Sequence, residues 1–149
     1  MSRLTTTTGL ALGSIACWVA LLGCSSKPTP RSEDPGASNL RKIGQAYDHF
    51  TDMKHRAPRN DDELKPMLKE LEPKADPDQI LQSKRDGQPY VIHYGPKMDS
   101  DTRSVILAHE KDGAEGKRYV LTLDRMVIEM SDAEFATAKF AVPPKTGPN

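Results

Sequence analysis

The sequence predicts an α+β domain in which an N-terminal helix packs on a small antiparallel β-meander, followed by a short C-terminal helix. Apolar residues recur at spacings of three and four just after residue 38, which is typical of a helix with one buried face. Four later stretches carry the apolar residues of strands, and short polar segments separate them. The chain has 149 residues, enough for one domain or at most two.

The first helix is predicted to begin at Ser38, a residue type that caps helix N-termini well. Its apolar stripe consists of Leu40, Ile43, Tyr47 and Phe50. We expect it to end before Pro58, because the residue preceding a proline avoids the α conformation.

A second helix is predicted to start at Asn60, with Glu63 at its third position. Its apolar face is made of Leu64, Met67, Leu68 and Leu71. Pro66 lies within this segment and lacks the amide donor that a helix interior needs, so we expect the helix to be short or kinked.

The strands are predicted at 89–94, 104–109, 118–123 and 126–130. In the first, alternation places Tyr90, Ile92 and Tyr94 on one face. The second is apolar on both faces, which favours a central position in the sheet. A two-residue turn at 124–125 would pair Leu123 with Met126 and set the apolar residues of both hairpin strands on one face.

The last helix is predicted over 132–141. Ser131 and Glu134 form the S-x-x-E pattern of a capping box, in which each residue satisfies a backbone amide of the other. The helix presents Phe135 and Ala138, with Phe140 near its end, to the sheet.

The N-terminus indicates export. Arg3 is followed by an apolar run over 9–23, which as a helix spans about 22 Å, short of the ~30 Å hydrocarbon core. That length fits a signal peptide better than a membrane span. The run ends in Leu21-Leu22-Gly23-Cys24, which resembles a bacterial lipobox. The resemblance implies cleavage before Cys24, diacylation of its sulfur and acylation of the new amine.

This interpretation divides the chain into a signal peptide (1–23), the lipidated Cys24 with a flexible tether (24–37), the α+β domain (38–142) and a loose tail (143–149). Cleavage removes Cys17 and the lipid occupies Cys24, and these are the two cysteines of the sequence. No thiol is then left for a disulfide, a metal or a nucleophile. The lipid would anchor the protein in the inner or the outer membrane, with the head facing the periplasm or the exterior.

The order of elements, together with several short motifs, resembles type IV pilin-like proteins and the pseudopilins of type II secretion. These motifs lie at 39–47, 55–58, 86–91 and 116–124. The resemblance implies a pilin-like head. Arg125 stands where the family has a turn glycine, and a lipoprotein signal with a Pro-rich tether replaces the long apolar pilin helix. The resemblance and the lipoprotein signal together therefore imply a pilin-like head tethered by a lipid, and not a pilus subunit.

Two pairs of residues are candidate ligands. His93 and His109 lie on neighbouring predicted strands, and paired histidines bind zinc, although a site needs three or four ligands and this spacing matches no zinc motif. Ordinary strand histidines are the alternative. The resemblance further suggests a calcium site at Asp99 and Asp101, because the matching loop binds calcium in some pseudopilins; a plain polar turn is the alternative.

No catalytic motif stands out. The sequence lacks Gly-x-Ser-x-Gly, a phosphate-binding loop and Gly-x-Gly-x-x-Gly. Its 21 basic and 21 acidic residues are interleaved, which disfavours nucleic-acid binding. We therefore expect a non-enzymatic envelope lipoprotein that needs no cofactor and contacts a protein partner, for example in a secretion or surface assembly. The alternative is a small-ligand or metal-binding module that uses the strand region of His93 and His109.

Mass spectrometry of the protein made in its native host tests the lipobox. We expect a first residue Cys24 that carries a diacylglyceryl thioether and an acylated amine. Residues 1–23 still attached, or a free thiol at Cys24, would contradict the anchored-head interpretation.

Overall fold

The structure is a computed structural model that describes residues 34–96 and 104–142. It confirms the α+β class. Its elements in chain order are α1 (Pro35–Lys54), α2 (Asp61–Leu71), α3 (Pro77–Ile80), β1 (Val91–Ile92), β2 (Val105–His109), β3 (Lys117–Thr122), β4 (Val127–Ser131), α4 (Asp132–Ala136) and β5 (Lys139–Phe140). The signal peptide, the tether up to residue 33 and the tail 143–149 lie outside the described residues.

The sheet is an antiparallel meander in the order β1-β2-β3-β4, and the short β5 pairs with β2 in parallel. Strand β2 is therefore central, as its apolar composition predicts. No helix among the described residues is long and apolar enough to span a bilayer.

Helix α1 packs against β3 and β4 on one side and against α2 on the other. The predicted stripe is buried: Leu40, Ile43 and Tyr47 are fully inaccessible, and Phe50 is nearly so. Tyr90 is buried in the same core, with Ile92 and Tyr94 partly buried against it. A smaller core lies on the other face of the sheet and contains Ile106, Val120, Met130, Ile128, Phe135, Ala138 and Phe140.

The first helix begins earlier than predicted, and Ser38 is not its cap. The N-cap is Asp34, whose carboxylate accepts hydrogen bonds from the amides of Gly36 (3.0 Å) and Ala37 (3.4 Å). Pro35 follows at the first helical position, where its fixed φ suits the helix and its missing amide is no loss. Ser38 lies inside the first turn, so residues 35–37 of the predicted tether are helical.

Asn60 caps α2 as predicted, since its side chain accepts from the amide of Glu63 at 3.1 Å. The carboxylate of Glu63 reaches the amide of Arg59 (2.9 Å). The helix runs through Pro66 to Leu71. Pro66 denies a hydrogen bond to the carbonyl of Asp62, but that residue lies in the exposed first turn of the helix, where solvent can hydrogen-bond a backbone carbonyl.

The predicted hairpin register is wrong by one residue. Leu121 pairs with Val127, and the Thr122 amide donates to the Met126 carbonyl at 2.9 Å, so the loop has three residues. Arg125 takes the left-handed position that closes such a loop (φ 68°). Because side chains alternate along a strand, this shift places Ile128 and Met130 on the face opposite α1.

The last helix is also shorter than predicted. Its capping box is present, with the Ser131 hydroxyl accepting from the Glu134 amide and the Glu134 carboxylate accepting from the Ser131 amide. Helix α4 ends at Ala136, and Lys139 and Phe140 pair with β2. The Ala141 amide donates to the Ile106 carbonyl (2.8 Å). This pairing lets Phe140 pack on the outer face of the sheet. The strand pairing and this packing together stabilise the segment more than further turns of α4 would.

A pair of alanine substitutions separates the observed cap from the predicted one. Asp34→Ala should lower the free energy of unfolding by about 1 kcal/mol or more, because two amides of the first turn and the Tyr119 hydroxyl lose their acceptor. Ser38→Ala should leave it nearly unchanged, since alanine suits a helix interior. Urea unfolding followed by circular dichroism measures both, and equal losses would contradict the assignment of Asp34 as the cap.

Candidate functional site

The structure brings His93 and His109 together on the outer face of the sheet. Their ring centroids lie 5.6 Å apart, with the planes tilted by 35°. His109 ends β2, and His93 directly follows β1, where its amide donates to the Leu107 carbonyl at 2.8 Å. Antiparallel pairing of β1 with β2 therefore sets the distance between the rings.

Two phenylalanines from the C-terminal segment surround the pair. The Phe135 ring lies 4.8 Å from that of His109, and the Phe140 ring lies 5.2 Å from that of His93. The guanidinium of Arg118 stacks over Phe135 at 4.1 Å and binds Asp132 at 2.8 Å. The histidines thus form an aromatic cluster with Phe135 of α4 and Phe140 of β5.

The hydrogen bonding of His109 defines its tautomer. Its Nδ1 lies 2.8 Å from the backbone carbonyl of Glu110. A carbonyl only accepts, so Nδ1 carries the proton in the neutral ring and Nε2 presents a lone pair. The Nε2 of His93 is buried and has no hydrogen-bond partner within the described residues.

Both rings favour the neutral state. Burial lowers the pKa of His93 below its usual value. Burial also lowers the pKa of His109, and the nearby His93 and Arg118 act in the same direction against the hydrogen bond to Glu110. Neutral imidazoles offer nitrogen lone pairs, so the pair suits binding of an ion or a hydrogen-bond donor.

Within 34–96 and 104–142, no group of three or more His, Cys, Asp or Glu side chains is placed to hold a metal ion. Among the described residues, His93 and His109 are therefore two candidate ligands without the further side chains that a four-ligand zinc site needs. Cys24, Asp99 and Asp101 lie outside the described residues.

The other two histidines of the sequence lie elsewhere on the molecule. His49 lies 3.4 Å from Glu70, and His55 caps the C-terminus of α1 in a left-handed conformation.

Glu110 is a buried carboxylate that the sequence analysis missed. Its side chain is fully inaccessible to solvent. Its Oε1 accepts from the Ser83 hydroxyl (2.9 Å), its Oε2 accepts from the Tyr119 amide (2.8 Å), and Arg85 lies 3.5 Å away. The sequence feature that could have indicated this burial is the position of a charged residue directly after the apolar strand 105–109.

The Glu110 cluster reaches the start of α1. The Tyr119 hydroxyl donates to the carboxylate of the cap residue Asp34 (2.8 Å), and the Tyr90 hydroxyl donates to the Gly36 carbonyl (3.0 Å). A Cβ on Gly36 would lie 3.1 Å from Tyr119 and 3.2 Å from Glu110, closer than most side-chain contacts. Glycine at this position lets the helix start against the buried carboxylate.

Arg85 completes the cluster from the outside. Its guanidinium lies 4.3 Å above the Tyr119 ring and 3.2 Å from the Glu129 carboxylate. Burial raises the pKa of Glu110, although the Tyr119 amide, the Ser83 hydroxyl and Arg85 favour its ionised form.

A cleft of about 250 Å³ lies between α1 and the β3–β4 hairpin. Its walls are Arg41, Gly44, Gln45, Asp48, Leu121 and Arg125. Asp48 and Arg125 form a two-point ion pair across it, which fastens the middle of α1 to the hairpin loop.

Comparison with protein-family models, with curated proteins and with solved structures finds no match to this chain.

The pH dependence of unfolding tests the state of Glu110. Because its pKa is raised on folding, its contribution to stability is complete below the ordinary glutamate pKa and is lost as the pH rises through the raised value. Glu110→Gln does not titrate there, so its stability relative to the wild type should improve between pH 4 and pH 8. Urea unfolding at both pH values measures this, and a difference that does not change with pH would refute it.

Glu110→Ala is the matched variant. It leaves the Ser83 hydroxyl and the buried Tyr119 amide without an acceptor, which should cost about 1–3 kcal/mol at pH 4. This cost should shrink at pH 8, as for Glu110→Gln, because both variants remove the same titrating group.

Proposed function

We propose that this chain is a non-enzymatic, lipid-anchored protein of the bacterial cell envelope that presents a pilin-like head to a protein partner, for example in a secretion or surface assembly. One observation carries the proposal: the lipobox cysteine is followed, after about ten residues, by a helix that is fastened to an antiparallel sheet from its first turn. The lipid attaches the protein to a membrane, and the folded head provides the surface that the partner contacts.

The packing of α1 supports the pilin-like part of the proposal. A long N-terminal helix lying on a β-meander, a C-terminal hairpin and a capped helix after it are the features that the motifs suggest. The parallel strand β5 is an addition that the motifs do not suggest.

The direction of α1 supports an outward-facing surface. Asp34 contacts Tyr119 at the start of α1, and Asp48 contacts Arg125 further along the helix. Asp34 precedes Asp48 along α1, and Tyr119 precedes Arg125 along β3 and its loop, so α1 and β3 run side by side in the same direction. The tether enters beside Tyr119, and the hairpin loop lies at the far end.

The hairpin loop carries features of a contact surface. Met126 is 45% exposed next to the Arg125–Asp48 ion pair, which combines an apolar side chain with charged neighbours. A head held by its tether end would turn this loop away from the lipid. We therefore expect a partner to contact the loop.

Site-specific photo-crosslinking in the native host tests the proposal. A photoreactive residue at position 126 should yield an adduct with an envelope protein, whereas the same residue in place of the exposed Glu115, near the tether end, should not. Pull-down from native membranes identifies the adduct. Recovery of no partner, together with turnover of a substrate by the purified protein, would defeat the proposal.

A second candidate function is a small-ligand or metal-binding module. The contact of His93 with His109, 5.6 Å between ring centroids, favours it. Elemental analysis of protein purified from the native host without chelators separates the two functions, since a stoichiometric metal supports the second and its absence leaves the first.

A further inference from the structure

We propose that His93 and His109 form a two-coordinate site for monovalent copper on the outer face of the sheet. This inference rests on the second candidate function and names its ligand. It is independent of the protein partner proposed for the head.

The first support is the orientation of His109. Histidines that bind metals commonly donate their second ring nitrogen to a backbone carbonyl or a carboxylate, which fixes the tautomer and leaves the other nitrogen as the ligand. The Nδ1 of His109 has such a partner in the Glu110 carbonyl at 2.8 Å. The Nε2 of His109 therefore has its lone pair available for coordination even when no ion is bound.

The second support is the unpaired nitrogen of His93. Its Nε2 is buried and has no hydrogen-bond partner in the described structure. Buried polar atoms are normally paired, so an unpaired one calls for an explanation. A bound ion would provide the missing partner.

The distance between the rings is compatible with one shared ion. Metal–imidazole bonds of about 2.0 Å hold two coordinating nitrogens no more than about 4 Å apart. One ion bound in the plane of both imidazoles places the ring centroids about 6 Å apart, which is close to the 5.6 Å between His93 and His109.

The number of ligands favours Cu⁺ over other ions. Zinc takes four ligands, and calcium and magnesium take six or more oxygens. The described residues add no third His, Cys, Asp or Glu to the pair. A filled-shell monovalent ion such as Cu⁺ is stable with two nitrogen ligands in line, and imidazole is among the ligands that copper accepts.

The aromatic surroundings also suit a monovalent ion. Phe135 lies 4.8 Å from His109, and Phe140 lies 5.2 Å from His93, so each imidazole has an aromatic ring against it. Aromatic rings also attract cations. Arg118 opposes a cation here, but its guanidinium lies against Phe135 and is neutralised by Asp132 at 2.8 Å.

Anaerobic titration with Cu⁺ in competition with bicinchoninate tests the site. The full chain is used with Cys17→Ser and Cys24→Ser, because free thiols would bind Cu⁺ themselves. We expect one equivalent bound, at least tenfold weaker binding in His109→Leu and in His93→Leu, and unchanged binding in His49→Asn and His55→Asn. Binding that does not change in the His109 variant would overturn the proposal.

Two further measurements complete the test. If a leucine variant does not fold by circular dichroism, the imidazole ¹⁵N shifts of the unsubstituted histidines on adding Ag⁺ give the answer: Nε2 of both His93 and His109 should move, and unmoved signals overturn the site. Titration with Zn²⁺ distinguishes a failure of the copper proposal from a failure of the metal-binding function. Binding of Zn²⁺ without Cu⁺ refutes copper and leaves the metal-binding function, whereas binding of neither ion refutes both.

Discussion

The structure depends on a buried carboxylate. Glu110 emerges from the central strand into a site without solvent, where its oxygens must find donors inside the protein. They find the Ser83 hydroxyl and the Tyr119 amide, and through Tyr119 the cluster reaches the N-cap of α1. One residue therefore couples the central strand, its neighbour β3, the turn after α3 and the start of the long helix. Each of these hydrogen bonds adds modestly to the stability of the fold, but leaving any of the buried groups without a partner would lower the stability by more.

Helix α1 is held at one point on β3 and at a second point in the hairpin loop, and these contacts set the direction in which the helix lies on the sheet. The first point is the cap residue Asp34 on Tyr119, and the second is Asp48 on Arg125. Arg125 adopts a left-handed conformation, which is unfavourable for a residue with a Cβ, and its side chain gains an ion pair in return. The same loop closes the hairpin and anchors the helix, so the proposed contact surface lies at the far end from the tether.

The two faces of the sheet have different roles. The inner face packs on α1 and forms the main core, and the outer face is covered by α4 and by the Phe140 side chain of β5. The histidine pair lies where this cover meets the edge of the sheet. Its position was predictable in part, because the sequence places His93 and His109 on two neighbouring predicted strands. Its phenylalanine surroundings were not, because they depend on the C-terminal segment turning back to pair in parallel with β2.

The sequence by itself determined the α+β class, the apolar stripe of α1, the central position of β2, and the caps at Asn60 and Ser131. These follow from periodicity and from side-chain hydrogen bonds within a few residues. Only the tertiary structure decided the hairpin register, the strand at 139–140 and the burial of Glu110. The reason is that a one-residue shift, a returning strand and a buried charge are each stabilised by partners distant in the chain, and local pattern carries no information about those partners.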